Sequence, residues 1–148
     1  MKLLDIIDTS TTYTIYNVEY KAFVNGNILS LVIKCTLKEG KNPQRVIMQT
    51  YNYNLESDKL LTLQELIDIK KLDKKEVQNK IKEKIKEKNT NSGALVKQGY
   101  NVFVRNIDSE EYLVENVTTC FLGEEGHLYI IFAYGNKNFT QEMDYLVF

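Results

Sequence analysis

Side chains that commonly act as nucleophiles or general bases are few in this sequence of 148 residues and lie far apart. His127 is the only histidine, and no serine occupies a GxSxG turn. A Ser-His-Asp or Cys-His mechanism needs a base beside the nucleophile and a third group that orients the base. Because His127 follows the turn sequence GEEG and opens an apolar run, we interpret it as a partly exposed turn residue.

Two carboxylate pairs, Glu110-Glu111 and Glu124-Glu125, are of the kind that glycosidases use. Adjacent residues in a turn do not provide the separation that such chemistry requires across a sugar ring. We therefore interpret them as solvated turn acids. The glycines are scattered and match neither GxGxxG nor a Walker loop. The sequence predicts no catalytic residue and no cofactor site.

The two cysteines, Cys35 and Cys120, lie far apart in a sequence that has no CxxC motif and no histidine cluster, so no metal site is predicted. Cys35 shares the alternating phase of the apolar residues Leu29, Leu31, Ile33 and Leu37, which predicts a buried thiol. If the protein is exported, a disulfide between Cys35 and Cys120 is possible. It would require their Cα atoms to lie within bonding reach, and the sequence does not determine that distance.

Composition favours one folded domain. The chain has 43% hydrophobic and 26% charged residues, close to average globular usage. A net charge of -1 provides no overall field that would attract DNA or an anionic membrane, so we expect no nucleic-acid partner. The N-terminal apolar stretch is short and is interrupted by Asp5 and Asp8, which fits neither a signal peptide nor a transmembrane helix.

The elements that would position any site begin with strands. Residues 14–24 alternate with period 2, and Asn25-Gly26 is typical of a two-residue hairpin turn. The runs ILSLVIKCTL and RVIMQTYNYNL predict two further antiparallel strands, separated by a turn that contains Pro43.

A change of period from strand to helix marks residues 49–67. Thr62 and Glu65 fit a capping box at the start of a helix. A second helix is predicted from Asp73 to about Lys88, ended by the sequence NTNSG with Gly93 or an asparagine as the cap. The predicted buried residues of the two helices are Leu63, Leu66, Ile67 and Ile69, followed by Val77, Ile81 and Ile85.

Four more strands are predicted after the helices, in GYNVFVRNI, YLVENVTTCFL, HLYIIFAY and MDYLVF. A turn or short helical turn at DSEE separates the first two. Strands and helices are segregated along the chain, which predicts an α+β fold in which an antiparallel β-sheet packs against two consecutive helices. We expect a single domain over residues 1–148, with residues 1–12 as a loosely ordered N-terminal segment.

The lysine-rich stretch at residues 70–88 is the strongest electrostatic feature, with nine lysines against four acids. A basic helix can bind wall polymers, lipid headgroups or nucleic acid. Acids spaced three or four residues from the lysines, together with the absence of arginine and of interleaved aromatics, favour instead a solvated helix face. Tyr134 and Phe139 flank the polar loop GNKNF, and they are our candidate residues for contact with a partner.

The segments NYNLESDKLLTLQELI, VEYKAFVNGNILSLVIKCTL and CFLGEEGHLYIIFAYG resemble a family of bacterial extracytoplasmic domains of unknown function. In that family a strand ending in N-Y-[DN]-L precedes a helix that starts L-T-L-x-[DE]-L, and residues 52–55 and 61–66 match these patterns. Phe121, Gly126, Phe132 and Tyr134 match a later pattern, and the resemblance covers about residues 15 to 148. After that tyrosine the family often has an acidic residue and a loop containing proline, and this sequence has GNKNFTQEMD instead.

The family is found in a lysozyme-sensing membrane anti-sigma factor of Gram-positive bacteria and before the catalytic domain of a peptidoglycan deacetylase. The resemblance therefore implies a non-enzymatic extracytoplasmic sensor or ligand-binding domain, excised from a longer envelope protein. Its partner would be a lysozyme-like protein or peptidoglycan. Two alternatives stay open: an accessory cell-wall-binding module of a peptidoglycan-modifying enzyme, and a hydrolase with an unrecognised site.

Overall fold

The computed structural model describes residues 14–41, 44–99, 104–133 and 143–148. Four strands come first: β1 (Thr14–Asn25), β2 (Ile28–Glu39), β3 (Arg45–Asn54) and β4 (Lys59–Leu60). Two helices follow, α1 (Leu63–Ile69) and α2 (Lys74–Lys97), and then three strands, β5 (Cys120–Leu122), β6 (Leu128–Ala133) and β7 (Met143–Val147). This architecture confirms the predicted α+β class. The proposed loose N-terminal segment, residues 1–12, lies outside the described residues.

The first four strands form an antiparallel sheet in the order β1-β2-β3-β4. The turn between β1 and β2 consists of Gly26 and Asn27, one residue later than predicted, because Asn25 still pairs with Ile28. Gly26 has a φ of +57°, and a glycine at the first turn position readily adopts such a value. Asn25 is thereby free to donate from Nδ2 to the carbonyl of Gly123 at 3.0 Å, which attaches the hairpin to the second sheet.

Both predicted helix starts are confirmed. Thr62 and Glu65 form a capping box, with the Glu65 amide donating to Thr62 Oγ1 and the Thr62 amide donating to Glu65 Oε2. The carboxylate of Asp73 accepts from the first amides of α2. These caps satisfy backbone donors that have no partner inside the helix.

The predicted end of α2 near Lys88 is wrong, because the helix continues to Lys97. Asn89 does not cap the helix: its side chain bonds the backbone of Arg105 on the following segment, donating to the carbonyl at 2.7 Å and accepting from the amide at 3.0 Å. Gly99, with a φ of +90°, takes the position just past the helix end, so the prediction of Gly93 or an asparagine as the cap is wrong.

The second sheet is antiparallel in the order β5-β6-β7. The predicted strand in GYNVFVRNI is not observed where it is described, at residues 104–107, and the long strand predicted in YLVENVTTCFL is reduced to β5. A 3-10 helix occupies Glu110–Tyr112. Gln78 on α2 explains part of this difference, since its amide donates to the Tyr112 carbonyl and accepts from the Val114 amide, so a helix side chain satisfies these backbone groups.

The core lies between the inner face of the first sheet, the two helices and the second sheet. The stripe Val77, Ile81 and Ile85 is fully buried, as predicted, while Ile69 is 47% exposed. Aromatic rings continue the contact between the sheets, with Phe121 stacked between Phe23 and Tyr129 at centroid distances of 5.6 and 4.8 Å. The remaining core side chains are contributed mainly by Leu63, Leu66, Ile67, Leu128 and Ile130.

The predicted buried phase of β2 is wrong. The buried residues of β2 are Ile28, Ser30 and Val32, which face the rest of the molecule, and Cys35 is only half-buried. Cys35 and its phase lie on the opposite surface of the sheet, which we call the outer face. By strand register this face contains Thr14, Tyr16, Val18, Tyr20, Ala22 and Val24 on β1, Leu29, Leu31, Ile33, Cys35, Leu37 and Glu39 on β2, Ile47, Gln49, Tyr51 and Tyr53 on β3, and Leu60 on β4.

Candidate functional site

A cleft of about 390 Å³ opens at the junction where β3 and β4 give way to α1. This volume lies in the range of pockets that hold small molecules or single groups of a larger ligand. Most of its exposed wall is apolar, and threonine, asparagine, glutamine and glutamate side chains add polar groups. The lining residues are Thr50, Tyr51, Asn52, residues 60–64, Val114, Glu115, Val117, Thr118 and Cys120.

A buried polar network forms the base of the cleft. Ser30 Oγ donates to Asn52 Oδ1 at 2.6 Å, and Asn52 Nδ2 donates to the Cys120 carbonyl at 2.8 Å. The Leu122 amide in turn donates to Ser30 Oγ at 3.1 Å. Because Ser30 and Asn52 belong to the first sheet and Cys120 and Leu122 to the second, these bonds fix the two sheets against each other beneath the cleft.

The upper wall of the cleft comes from the first turn of α1. Gln64 Nε2 donates to Asp68 at 3.0 Å, while Gln64 Oε1 is buried and has no hydrogen-bond partner among the described residues. A buried acceptor without a partner is unfavourable, and a ligand donor in the cleft would relieve this. The capping box lies next to Gln64, so the orientation of this helix end is fixed before any ligand binds.

The ionisable groups at the cleft are suited to binding more than to proton transfer. Hydrogen bonding from the Lys74 ammonium lowers the pKa of Glu115, whose Oε1 lies 2.5 Å from Lys74 Nζ. Burial raises the pKa of the Cys120 thiol to about 12. A thiol that stays protonated at neutral pH is a poor nucleophile, since the thiolate is the reactive form. The cleft thus presents a paired carboxylate, hydroxyls and amides.

The residues considered for catalysis do not come together in the described structure. The 3-10 helix Glu110–Tyr112 contains Glu110 and Glu111, and a second one at Glu124–Gly126 contains the other pair. His127 is about half-exposed, and its Nε2 lies 3.8 Å from Glu125 Oε2. None of these side chains lines the cleft, and Tyr112, which follows the first pair, belongs to the core.

Ion pairs reduce the positive charge of the lysine-rich helix. Lys80 and Lys84 pair with acids on α2 itself. Lys74, Lys82 and Lys88 pair with acids from later segments, namely Glu115, Asp108 and Asp144. The positive charge that this helix could offer to an anionic partner is therefore partly neutralised by the fold.

A buried ion pair lies behind α2. Arg105 Nη2 donates to the carboxylate of Asp144, and both residues are almost completely buried. Lys88 Nζ approaches the second oxygen of that carboxylate at 3.8 Å, and the guanidinium lies over the rings of Tyr112 and Phe132. This cluster ties α2, the segment after it and β7 together.

The partner-contact residues predicted from the sequence, Tyr134 and Phe139, lie outside the described residues, so that prediction is unchanged. Sequence reasoning missed the cleft, and the available signal was two polar residues between large neighbours, Ser30 in β2 and Asn52 in β3. Cys35 and Cys120 both have free thiols. They lie on opposite sides of the first sheet, one on the outer face and one beneath Asn52.

No protein-family model matches this chain, and no curated protein is significantly similar to it. Within the described residues there is no group of three or more metal-binding side chains. The described helices include none with the length and apolar character needed to cross a bilayer. Fold and cleft define an α+β protein with a candidate ligand-binding site at its strand-to-helix junction.

Proposed function

We propose that this chain is a non-enzymatic recognition module of the bacterial cell envelope and that the junction cleft receives part of its ligand. The observation that carries the proposal is the cleft itself, an apolar recess beside the buried acceptor Gln64 Oε1. Apolar pockets with a few convergent polar groups are the usual form of binding sites. The envelope location and the class of ligand rest on the family resemblance described above.

The ligand class is a lysozyme-like protein or peptidoglycan. The cleft is large enough for one sugar ring or one peptide side chain but not for a whole polymer, so the rest of such a ligand would lie across its rim. Thr62, Glu115 and Thr118 line the cleft and are exposed, which makes polar contact area available to the rest of such a ligand.

The direct test is calorimetric titration of the chain with lysozyme and, separately, with soluble peptidoglycan fragments. We expect saturable binding to one of them and no turnover. Gln64→Ala should weaken that binding about fivefold to tenfold, the effect of losing one buried hydrogen bond. Alanine is a good helix former, so α1 should keep its structure.

Two variants complete the test. Thr118→Trp should obstruct the cleft and abolish binding, and Asn79→Ala, on the exposed side of α2, should leave the affinity unchanged. If Gln64→Ala and Thr118→Trp both bind the ligand as tightly as wild type, the binding site lies outside the cleft. Failure to bind lysozyme and peptidoglycan fragments would refute the envelope assignment.

The loop that contains Tyr134 and Phe139 gives an independent prediction. If this loop contacts the partner, Tyr134→Ala and Phe139→Ala should each weaken the saturable binding by tenfold or more, since aromatic side chains commonly dominate such interfaces. Equal affinities for wild type and both variants would rule out the loop.

An accessory wall-binding module is the second candidate, and the lysine-rich helix is the feature that favours it. Binding to insoluble peptidoglycan through this helix should fall steeply with salt, because it would depend on charge. The ion pairs that involve Lys74, Lys82 and Lys88 predict weak binding even at low salt. Strong retention on peptidoglycan that salt removes would favour this candidate over the cleft.

A further inference from the structure

The outer face of the first sheet is apolar over most of its length. Tyr20 is 75% exposed, Val24 66% and Tyr16 63%, while Ile47 on β3 is 46% exposed. Among the side chains that the register places on this face and the structure describes, Gln49 is the one amide, and the one charged residue, Glu39, lies at the end of β2. Antiparallel sheets that have one side in water usually present polar residues there.

The inner face of the sheet bears polar and charged side chains at the end that extends past the core. Asn17, Glu19 and Lys21 on β1 point to that side, and Lys34 Nζ lies 3.7 Å from Glu19 Oε2 in an exposed pair. The strands therefore display their apolar phase outward and their charged phase inward along this extension. Such a pattern is stable in water when another apolar surface covers the outer face.

The size of the outer face matches what a dimer requires. The 12 residues of β2 extend for about 40 Å, and three strands spaced about 4.8 Å apart give a width of about 14 Å. The product is on the order of 600 Å² for each copy, and two faces together approach the lower limit of specific interfaces, about 1,200 Å². Exposed apolar patches of this size on a monomer commonly mark interaction sites.

We propose that the outer faces of two copies of this chain pack against each other to form a homodimer. A twofold axis would place the same patch on both subunits, so the surface has to be complementary only to itself. A mainly apolar sheet meets this requirement, because its described charged residue, Glu39, lies at one end of β2 and leaves the middle of the face free of like charges. Two sheets packed in this way lie about 10 Å apart with their strands roughly aligned.

Edge pairing is the competing arrangement. The outer edge of β1 has no partner strand in the described sheet, and its pairing with β2 runs without a bulge from Thr14 to Asn25. Two copies joined through this edge would form one continuous sheet and leave the outer face uncovered. Face-to-face packing is favoured because it removes the apolar surface from water.

Sedimentation equilibrium of the whole chain between about 1 and 100 µM is the test. We expect wild type to approach twice its 17.2 kDa mass as concentration rises. Tyr20→Glu on β1 and Ile47→Glu on β3 should each remain at the monomer mass over that range. Asn17→Glu, on the same strand as Tyr20 but on the opposite side, should dimerise like wild type.

Cys35 provides a second measurement that does not depend on mass. It lies on the outer face, so its reaction with a thiol reagent should slow at least tenfold as wild type dimerises and stay fast in Ile47→Glu. A wild type that stays monomeric at 100 µM would overturn the proposal. Dissociation by Tyr20→Glu but not by Ile47→Glu would also overturn it, in favour of edge pairing.

Discussion

The polar network beneath the cleft predicts a large loss of stability from the replacement Asn52→Leu. Leucine has the same number of side-chain heavy atoms as asparagine, branched at the same carbon, so it is the replacement closest in shape that removes the hydrogen bonds. It removes the acceptor for the Ser30 hydroxyl and the donor to the Cys120 carbonyl, and both residues are at most 2% exposed. A buried polar group that loses its partner costs about 1–3 kcal/mol.

Two such groups would lower the free energy of unfolding by about 2–6 kcal/mol, and the added apolar burial of leucine offsets part of this, about 1–2 kcal/mol. We therefore expect a net destabilisation of about 3 kcal/mol, measured by urea denaturation monitored by circular dichroism. Asn17→Leu, at an exposed position of β1, is the control and should change stability by less than about 0.5 kcal/mol.

A double-mutant cycle separates the network from general packing. Ser30→Ala should cost about 1 kcal/mol less in the Asn52→Leu background than in wild type, because the serine hydroxyl has already lost its acceptor there. Additive effects, or a loss of less than 1 kcal/mol from Asn52→Leu alone, would refute the view that these bonds hold the two sheets together.

Three further predictions concern the elements around the site. Ile81→Ala should lower the free energy of unfolding by about 2–5 kcal/mol, since this α2 side chain is fully buried. Gly123→Ala should cost about 1–3 kcal/mol, because its Cβ would lie 2.5 Å from the Tyr129 ring. The hydrogen bond from the Thr62 amide and, as the second cause, the hydrogen bond from Lys59 lower the pKa of Glu65 from 4.5 to about 2. The stability that this carboxylate contributes should therefore be full above pH 4.5 and lost as the pH falls through 2.

Urea denaturation measures the loss of stability in Ile81→Ala and Gly123→Ala, with Asn17→Leu again as the control. For Glu65 the comparison is wild type against Glu65→Gln, which keeps a side chain able to complete the capping box. Their difference in stability should shrink from pH 5 to pH 2, and a difference that is constant with pH would show that the charge contributes nothing. An Ile81→Ala variant as stable as wild type would contradict the assigned position of α2 in the core.

Local patterns predicted most of the regular structure correctly. The first three strands, the capping box at Thr62 and the buried stripe of α2 depend on side-chain period and on contacts within a few residues. The end of α2 was mispredicted because Asn89 resembled a helix terminator. Only its hydrogen bonds to Arg105, 16 positions away, direct that amide to another segment.

The sequence by itself determined that β1 and β2 alternate with period 2, and therefore that each strand has two unlike faces. It did not determine which face is buried, since Leu31 and Val32 are equally suited to a core. Tertiary structure decided this, because the helices and the second sheet cover the side that contains Ser30 and Val32. The covering of this side also buried the hydrogen bonds of Ser30 and Asn52 and left the more apolar side chains on the outer face. Burial of a strand face depends on segments that are distant in the sequence, and the local pattern of side chains carries no information about them.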